Sequence, residues 1–263
     1  MLRLGGTASN SHMVVFQGLQ KYLLDRGVES DWVLYSGYDA LVEAFVSREI
    51  DVAWNGPLSY VKIQRLLDVP SRVLVMRDED VDFTTHFISQ AGSDINSIEK
   101  LKGKSFAFGS RGSIQTGLLA YHFLKEAGIN PTQDLSDYSF FDDRTGDTRR
   151  DEVDVFERVM DGEYDAGAIS ASTLLRLELD GVDVHERIQK FWDSPAYSHC
   201  CFTGQSDMDE EVSQMFTDAL VKMEYSDPLG KEILDGEGCK AFVPGITTGW
   251  EILEVAAEQE GLI

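Results

Sequence analysis

Apolar positions along the chain recur at spacings of two residues in some segments and of three to four in others, which predicts strands that alternate with helices. Strands are predicted at LRLGG, SDWVLY, IDVAWNG, SRVLVMRD, FTTHFISQ, SFAFGS, LSDYSFFD, YDAGAIS and YSHCCFTGQ. Amphipathic helices are predicted at SNSHMVVFQGLQKYLLDRG, GYDALVEAFVSRE, SIQTGLLAYHFLKEAG and RRDEVDVFERVMDG, and from about Asp209 onward. This alternation indicates an α/β fold.

Two segments, ALVEAFVSREIDVAWNGP and DVFERVMDGEYDAGAISAS, share one plan of helix, tight turn and Asp-initiated strand. The echo predicts two lobes built alike, with lobe 1 formed by residues 1–83 and 201–263 and lobe 2 by residues 84–200. Ligands of open α/β sheets bind outside the carboxyl ends of the strands. We therefore expect Asn55-Gly56 and Ser170-Ala171 to face each other across a cleft.

Composition narrows the classes of function. The 263 residues carry a formal net charge of −23, and no cluster of Lys and Arg suits a nucleic-acid partner. No apolar run approaches the roughly 20 residues that span a bilayer, so direct membrane insertion is not expected. The chain shows no signal peptide, which predicts an extracytoplasmic protein if an export segment was removed and a cytoplasmic one if Met1 is the native start.

A turn rich in glycine and hydroxyl residues follows one predicted strand, in SFAFGSRGSIQTG. Backbone N–H groups at the start of the next helix form an anion site, and the Gln115 amide both donates and accepts. The alternative is a plain helix cap, worth about 1 kcal/mol of stability. The ligand-binding residues predicted in this turn are Ser110, Arg111, Ser113, Gln115 and Thr116.

Other polar and aromatic residues follow the remaining predicted strands. Aromatic rings with a few polar groups are typical walls of small-molecule pockets, and core packing is the alternative, above all for Trp54. Arg77 is expected to pair with a nearby carboxylate of Asp78, Glu79 or Asp80. The further ligand-binding residues predicted are Thr7, Ser9, Asn10, Tyr38, Asn55, Gly56, Tyr60 and Ser170. Thr7, Ser9 and Asn10 serve equally well as a helix cap.

The stretch His199-Cys200-Cys201-Phe202 is the one that hints at metal chemistry, because thiolate and imidazole together hold transition metals. Successive side chains of a strand point to opposite faces, so at most one cysteine joins His199, and only with help from distant residues. Buried cysteine as a small hydrophobic residue is the common case. We expect no metal and no cofactor, with His199 and Cys200 as the alternative ligands.

Four segments carry a resemblance to a known family: GYDALVEAFVSREIDVAWNGPLSYV, SIEKLKGKSFAFGSRGSIQTGLLAYHFLKEAGI, FERVMDGEYDAGAIS and DPLGKEILDGEGCKAFVPG. They resemble the phosphate-, phosphite- and phosphonate-type solute-binding proteins of ABC transporters, over nearly the whole chain. The resemblance implies the type 2 periplasmic-binding fold, in which two lobes close on a ligand by hinge motion. It also implies an ABC permease as partner and no catalysis.

Two elements depart from the phosphonate-binding branch of that family. Its turn is typically a Ser-Thr-Ser-Gly run, whereas the aligned run here is Ile114-Gln115-Thr116-Gly117. The His that the branch carries before the next helix aligns with about Glu152, which follows Arg149 and Arg150, and a carboxylate there repels a dianion. We therefore expect a small polar ligand, either an oxyanion, an organic anion or a zwitterion.

Two alternatives use the same fold. One is a cytoplasmic enzyme of cofactor or precursor biosynthesis, similar to fungal thiamine-pyrimidine synthases or to chorismate dehydratases. The run His199-Cys200-Cys201 loosely resembles the Cys-rich motif of the fungal synthases. The other is a ligand sensor without a transporter. No short catalytic signature such as HExxH or a P-loop occurs in the sequence.

Overall fold

The computed structural model describes residues 1–144 and 151–263. Over these residues the chain forms two α/β units, each with its own sheet, which confirms the predicted fold class. The first unit contains Met1–Asp82, Tyr197–Glu254 and Ile263, and the second contains Phe83–Ala196 and Val255–Leu262. Within the described residues, none of the helices combines the length and the apolar character that crossing a membrane requires.

The strands are, in chain order, β1 (Leu2–Thr7), β2 (Ser30–Tyr35), β3 (Val52–Asn55), β4 (Arg72–Arg77), β5 (Thr85–Gln90), β6 (Ser105–Ala107), β7 (Asp137–Ser139), β8 (Ala166–Ser170), β9 (Ile188–Asp193), β10 (Cys201–Gly204) and β11 (Phe242–Pro244). The helices are α1 (Asn10–Leu24), α2 (Tyr38–Val46), α3 (Pro57–Leu66), α4 (Leu119–Glu126), α5 (Pro131–Asp134), α6 (Asp151–Met160), α7 (Ala171–Leu179), α8 (Val184–Arg187), α9 (Glu210–Val221), α10 (Pro228–Glu237) and α11 (Glu251–Gln259). Short 3₁₀ turns lie at Asp78–Asp80, Ile98–Leu101 and Phe141–Asp143, and a π-helical turn at Ile114–Leu118 precedes α4.

Each unit has a mixed sheet. The strand order is β11-β4-β10-β3-β1-β2 in the first unit and β7-β6-β8-β5-β9 in the second. Strand β1 runs parallel to β2 and β3, and β10 runs antiparallel to β3 and β4. The carboxyl ends of β1, β3 and β4 therefore lie at one edge of the first sheet, together with the start of β10.

The core of the first unit forms because α1 and β10 each place large apolar side chains on one face. Helix α1 begins after Ser9, whose side chain accepts the His12 N–H, and it buries Phe16 and other apolar residues against the sheet. Phe202 on β10 is fully buried and lies 4.5 Å from the ring of Trp54, centroid to centroid. Core packing was the stated alternative for Trp54, and the structure confirms it.

Aromatic residues also organise the second unit. Phe87 on β5 is fully buried and lies 5.2 Å from the Phe106 ring and 4.4 Å from the Trp192 ring. Helix α6 packs Val155 and its neighbouring apolar residues against β8, as the 3.6-residue spacing predicts. The strand ends that carry the candidate ligand residues are held by this core.

The last residues of the chain belong to a different unit from the one predicted for them. Residues 255–262 were expected in lobe 1, but they belong to the second unit. Two polar contacts join this segment to α4: the His122 Nδ1 lies 3.1 Å from the Gln259 Oε1, and the Lys125 ammonium donates to Glu260 over 2.6 Å. Apolar spacing alone does not reveal such contacts.

Six elements were not predicted from the pattern, namely helices α3, α5, α7 and α8 and strands β9 and β11. Helix α3 buries Tyr60, Val61 and Ile63, and α7 follows β8 directly. Strand β11 has three residues and pairs with β4 inside the region predicted to be helical. A strand this short gives too few residues to establish a period of two.

Candidate functional site

At the predicted ligand edge of the first unit, Thr7 ends β1 and Asn55 ends β3. The side chain of Tyr38 lies close to that of Thr7. The same ring covers Gly56, where an added Cβ would lie 3.2 Å from two of its carbon atoms. The structure thus brings together four of the predicted residues, namely Thr7, Tyr38, Asn55 and Gly56.

Asn55 is fully buried, yet its hydrogen bonding is incomplete. Its Oδ1 has no partner among the residues that the structure describes, and its Nδ2 reaches the Ala53 carbonyl only at 3.4 Å. Helix α3 begins directly after it, with Gly56 at the N-cap and no side-chain cap. Buried polar groups normally find a partner. Asn55 therefore presents an acceptor beside N–H groups of a helix start, which is a favourable arrangement for a polar ligand.

Tyr60, Ser9 and Asn10 have different surroundings. Tyr60 is 6% exposed, its ring lies 4.1 Å from that of Trp250, and burial raises its pKa to about 12. Ser9 is the cap of α1, and Asn10 is exposed at the first position of that helix. The predicted role of a helix cap is confirmed for Ser9. Contact with a ligand remains a prediction for Tyr60, Ser9 and Asn10.

In the second unit, the turn after β6 is closed by its own hydroxyl groups. The Ser113 Oγ accepts the Thr116 N–H over 3.3 Å and lies 2.9 Å from the Thr116 Oγ1. Thr116 is fully buried. Ser113 is therefore a helix cap, which was the stated alternative, and ligand contact stays a prediction for both residues.

Replacing Gly117 with alanine tests how tightly this turn is packed. The added Cβ would lie 2.2 Å from the Ser110 carbonyl oxygen, which accepts the Ser113 N–H. Because backbone must move, we expect unfolding in denaturant to lose about 1–3 kcal/mol. The matched control is Gly112→Ala in the same turn, where nothing lies within 4 Å of the new Cβ. Equal stability of the two variants would contradict the packing described here.

Glu152 lies on α6, is 8% exposed and accepts hydrogen bonds from two of the predicted ligand-binding residues. Its Oε1 accepts from the Gln115 Nε2 over 2.9 Å, and its Oε2 accepts from the Ser170 N–H over 2.8 Å and from the Ser170 hydroxyl. The sequence comparison placed Glu152 at the position where the phosphonate-binding branch has a histidine, but it did not reveal these hydrogen bonds. The structure therefore gathers Gln115 and Ser170 around a negative group.

Arg111 has another set of partners. Its guanidinium makes a bidentate pair with Asp143 over 2.7 and 2.9 Å and lies over the Phe140 ring. Its neighbour Ser110 donates its backbone N–H to Asp151. Arg111 and Ser110 therefore both bond to acidic residues near the turn, and their contact with a ligand remains a prediction. Arg149 and Arg150 lie outside the described residues.

A compact polar cluster lies where β4 ends and β10 begins. Arg77 donates to Asp80 through two nitrogen atoms over 2.6 and 2.8 Å, so its predicted internal ion pair is confirmed. Burial raises the pKa of Asp80, but the hydrogen bonds and charge of Arg77 dominate and lower it to about 2. His199, two residues before β10, places its Nδ1 3.0 Å from the Oδ1 of the same carboxylate, and the Cys200 Sγ lies 3.2 Å from that nitrogen. The sequence could not place Asp80 here, because the contact depends on the register of two strands.

Comparisons with known proteins agree on the family. The family described as ABC transporter, phosphonate, periplasmic substrate-binding protein matches residues 8–247. A curated relative, the probable ABC transporter phosphite-binding protein PhnD1 of Prochlorococcus marinus (strain MIT 9301), is 25% identical over 237 residues, which cover 86% of this chain and 77% of the relative.

Solved structures share the fold. PhnD1 of Prochlorococcus marinus in complex with methylphosphonate aligns with a TM-score of 0.73 at 22% identity, over 100% of this chain and 98% of that chain. XAC2383 of Xanthomonas citri, bound to chloride ion, aligns with the same score at 18% identity, over 100% and 99% of the two chains. These likenesses extend over both units. With the family match over residues 8–247, they identify this chain as a member of the periplasmic substrate-binding proteins of phosphonate-type ABC transporters.

Proposed function

We propose that this protein captures a small zwitterion, an organic anion that also carries an ammonium group, and delivers it to an ABC permease outside the cytoplasm. The observation that carries the choice of ligand is the buried carboxylate of Glu152, held by Gln115 and Ser170. Among residues 1–144 and 151–263, no cation forms a salt bridge with it.

A buried carboxylate that no cation among the described residues neutralises is costly, and a positive ligand group relieves that cost. The same charge repels a phosphonate or phosphate dianion from this part of the second unit. An ammonium group supplies three N–H donors and fits beside the Glu152 Oε1. The second unit therefore favours the cationic end of a zwitterion.

The first unit favours a group that both accepts and donates hydrogen bonds. The start of α3 lacks a side-chain cap, so its N–H groups and the positive end of the helix dipole suit an anion. The buried Asn55 Oδ1 needs a donor, such as the hydroxyl of a monoprotonated phosphonate. The anionic end of the ligand is accordingly assigned to Asn55 and Gly56.

Ligand binding is tested by thermal unfolding with 2-aminoethylphosphonate, methylphosphonate, phosphite, phosphate and amino acids. A ligand present at 100 times its Kd adds about 2.7 kcal/mol to the free energy of unfolding. We expect this increase for 2-aminoethylphosphonate or another zwitterion, and a smaller one for methylphosphonate. If no compound in this panel raises the unfolding temperature, the proposed capture of such solutes is wrong.

Replacing Glu152 with glutamine separates the choice of ligand from the capture function. Loss of a charge-assisted contact is expected to weaken 2-aminoethylphosphonate binding by about tenfold or more in calorimetry, while methylphosphonate binding is unchanged or stronger. Glu157→Gln, on an exposed position of the same helix, is the matched control. If Glu152→Gln weakens neither ligand, the zwitterion assignment fails while solute capture stands.

A further inference from the structure

Three different ligand atoms converge in the polar cluster of the first unit. The His199 Nδ1 lies 3.0 Å from the Asp80 Oδ1 and 3.2 Å from the Cys200 Sγ. All three donor atoms lie within 4.8 Å of one another. Asp80 is fully buried, His199 is buried, and Cys200 is partly buried.

We propose that Asp80, His199 and Cys200 form a binding site for a divalent transition-metal ion of the zinc type, distinct from the ligand-binding residues of the proposed solute site. Carboxylate, imidazole and thiolate are the three ligand types that Zn²⁺ takes in proteins. They leave one tetrahedral position for water or another group, as in zinc sites with three protein ligands.

The separations of the donor atoms suit a tetrahedral ion. Zinc bonds of about 2.0 Å to oxygen and nitrogen and about 2.3 Å to sulfur correspond to edges of about 3.3 Å between nitrogen and oxygen and about 3.6 Å between nitrogen and sulfur. The observed distances are 3.0 and 3.2 Å. These two pairs therefore need to move apart by only a few tenths of an ångström, and the third pair, Asp80 and Cys200, lies within 4.8 Å. The alternation of side chains along β10 leaves Cys201 out, since its Sγ lies 3.3 Å from the Thr203 hydroxyl.

Arg77 also pairs with Asp80, and the geometry of this ion pair allows it to stay when a metal binds. A carboxylate offers about four lone pairs, and Arg77 takes one on each oxygen atom. Once the metal replaces the contact with His199, the guanidinium becomes an outer partner that orients the carboxylate, as such partners do in known sites. Acidic groups outnumber Arg77 here, because Glu79 pairs with it too and the Glu237 carboxylate is buried nearby. A divalent ion offsets that excess of negative charge.

The position of the site in the chain gives the metal a physical consequence. Asp80 precedes the passage from the first unit to the second at residues 82–83, and His199 follows the return passage at residues 196–197. The two segments already share a backbone bond from the His199 N–H to the Asp80 carbonyl. A bound ion adds a second link between them. On binding, the Cys200 thiol releases its proton to solvent and His199 coordinates through an unprotonated Nδ1.

The proposal is tested with the metal-free full chain, titrated with Zn²⁺ in a calorimeter and with Co²⁺ in an absorption spectrometer. We expect one ion per chain and a sulfur-to-cobalt charge-transfer band, which reports thiolate ligation directly. Cys200→Ser removes the band and His199→Gln weakens binding by at least tenfold. Cys201 is the neighbouring cysteine on the opposite face, and Cys201→Ser keeps both the charge-transfer band and the affinity for the metal.

Circular dichroism of each metal-free variant separates loss of ligands from loss of folding. The wild-type spectrum decides the question even where a variant does not fold, because the Cys200 Sγ lies 3.2 Å from the His199 Nδ1. Binding of cobalt without the charge-transfer band overturns the proposal. So does a band that persists in Cys200→Ser, or the absence of any binding of Zn²⁺.

Discussion

Replacing Arg77 with methionine is expected to lower the free energy of unfolding of the first unit by about 3–5 kcal/mol, because removing one partner of a buried ion pair leaves the other charge uncompensated. Asp80 is fully buried and Arg77 is 14% exposed in its side chain. The substitution also removes the bond from Arg77 to the Glu237 carbonyl and its position over the Trp54 ring. Methionine retains much of the apolar stem, so the effect reports mainly on charge and hydrogen bonding.

Hydrogen exchange of the β4 and β10 amides measures this loss in the unit concerned. Arg48→Met is the matched control, since Arg48 and Asp207 are 58% and 64% exposed and such pairs contribute about 0–1 kcal/mol. The double change Arg77→Met with Asp80→Leu removes both charges and should recover part of the loss. If Arg77→Met and Arg48→Met are equally stable, removing Arg77 does not leave Asp80 as a costly uncompensated charge, and the prediction is wrong.

The spacing of apolar residues was sufficient for much of the fold. Strands β1, β3 and β8 and helices α1 and α6 lie where the pattern predicts them. The two helices each bury one regular face, whereas β3 and β8 are short apolar runs buried on both faces. Ser9 and Ser113 act as caps through bonds within three residues of chain, which local sequence encodes. The ends of β3 and β8 at Asn55 and Ser170 were predictable for the same local reason.

The site depends on contacts between distant residues, and there the sequence was insufficient. Glu152 was seen as a charge that repels anions, whereas its bond to Ser170 joins residues 18 positions apart. Asp80 and His199 are 119 positions apart and meet only through the pairing of β4 with β10. Residues 255–262 lie in the second unit, where Gln259 and Glu260 make polar contacts with α4 that the sequence pattern does not reveal. Chemistry of this kind emerges from tertiary packing.

Glu237 is expected to make the first unit less stable as the pH rises. The side chain is 6% exposed and its Oε1 has no partner among the described residues. Burial raises its pKa from 4.5 to about 7; Arg77 opposes this rise, and Asp80 and Glu79 add to it. Between these two values the folded state holds a proton that the unfolded state has lost. Stability therefore falls as the pH rises from about 4.5, and the fall is complete above about 7.

One pKa unit corresponds to about 1.4 kcal/mol, so this rise corresponds to about 3 kcal/mol. Glu237→Gln removes the titration, and its first-unit stability should fall less than that of the wild type between pH 5 and pH 8.5, by about that amount. Comparing the change with pH, and not the absolute stability, cancels the fixed cost of burying an amide. Glu232→Gln, at an exposed position of α10, controls for the loss of one negative charge. Parallel pH profiles for wild type and Glu237→Gln would mean that the Glu237 carboxyl is solvated, and the buried acidic excess beside Arg77 would then be one group smaller.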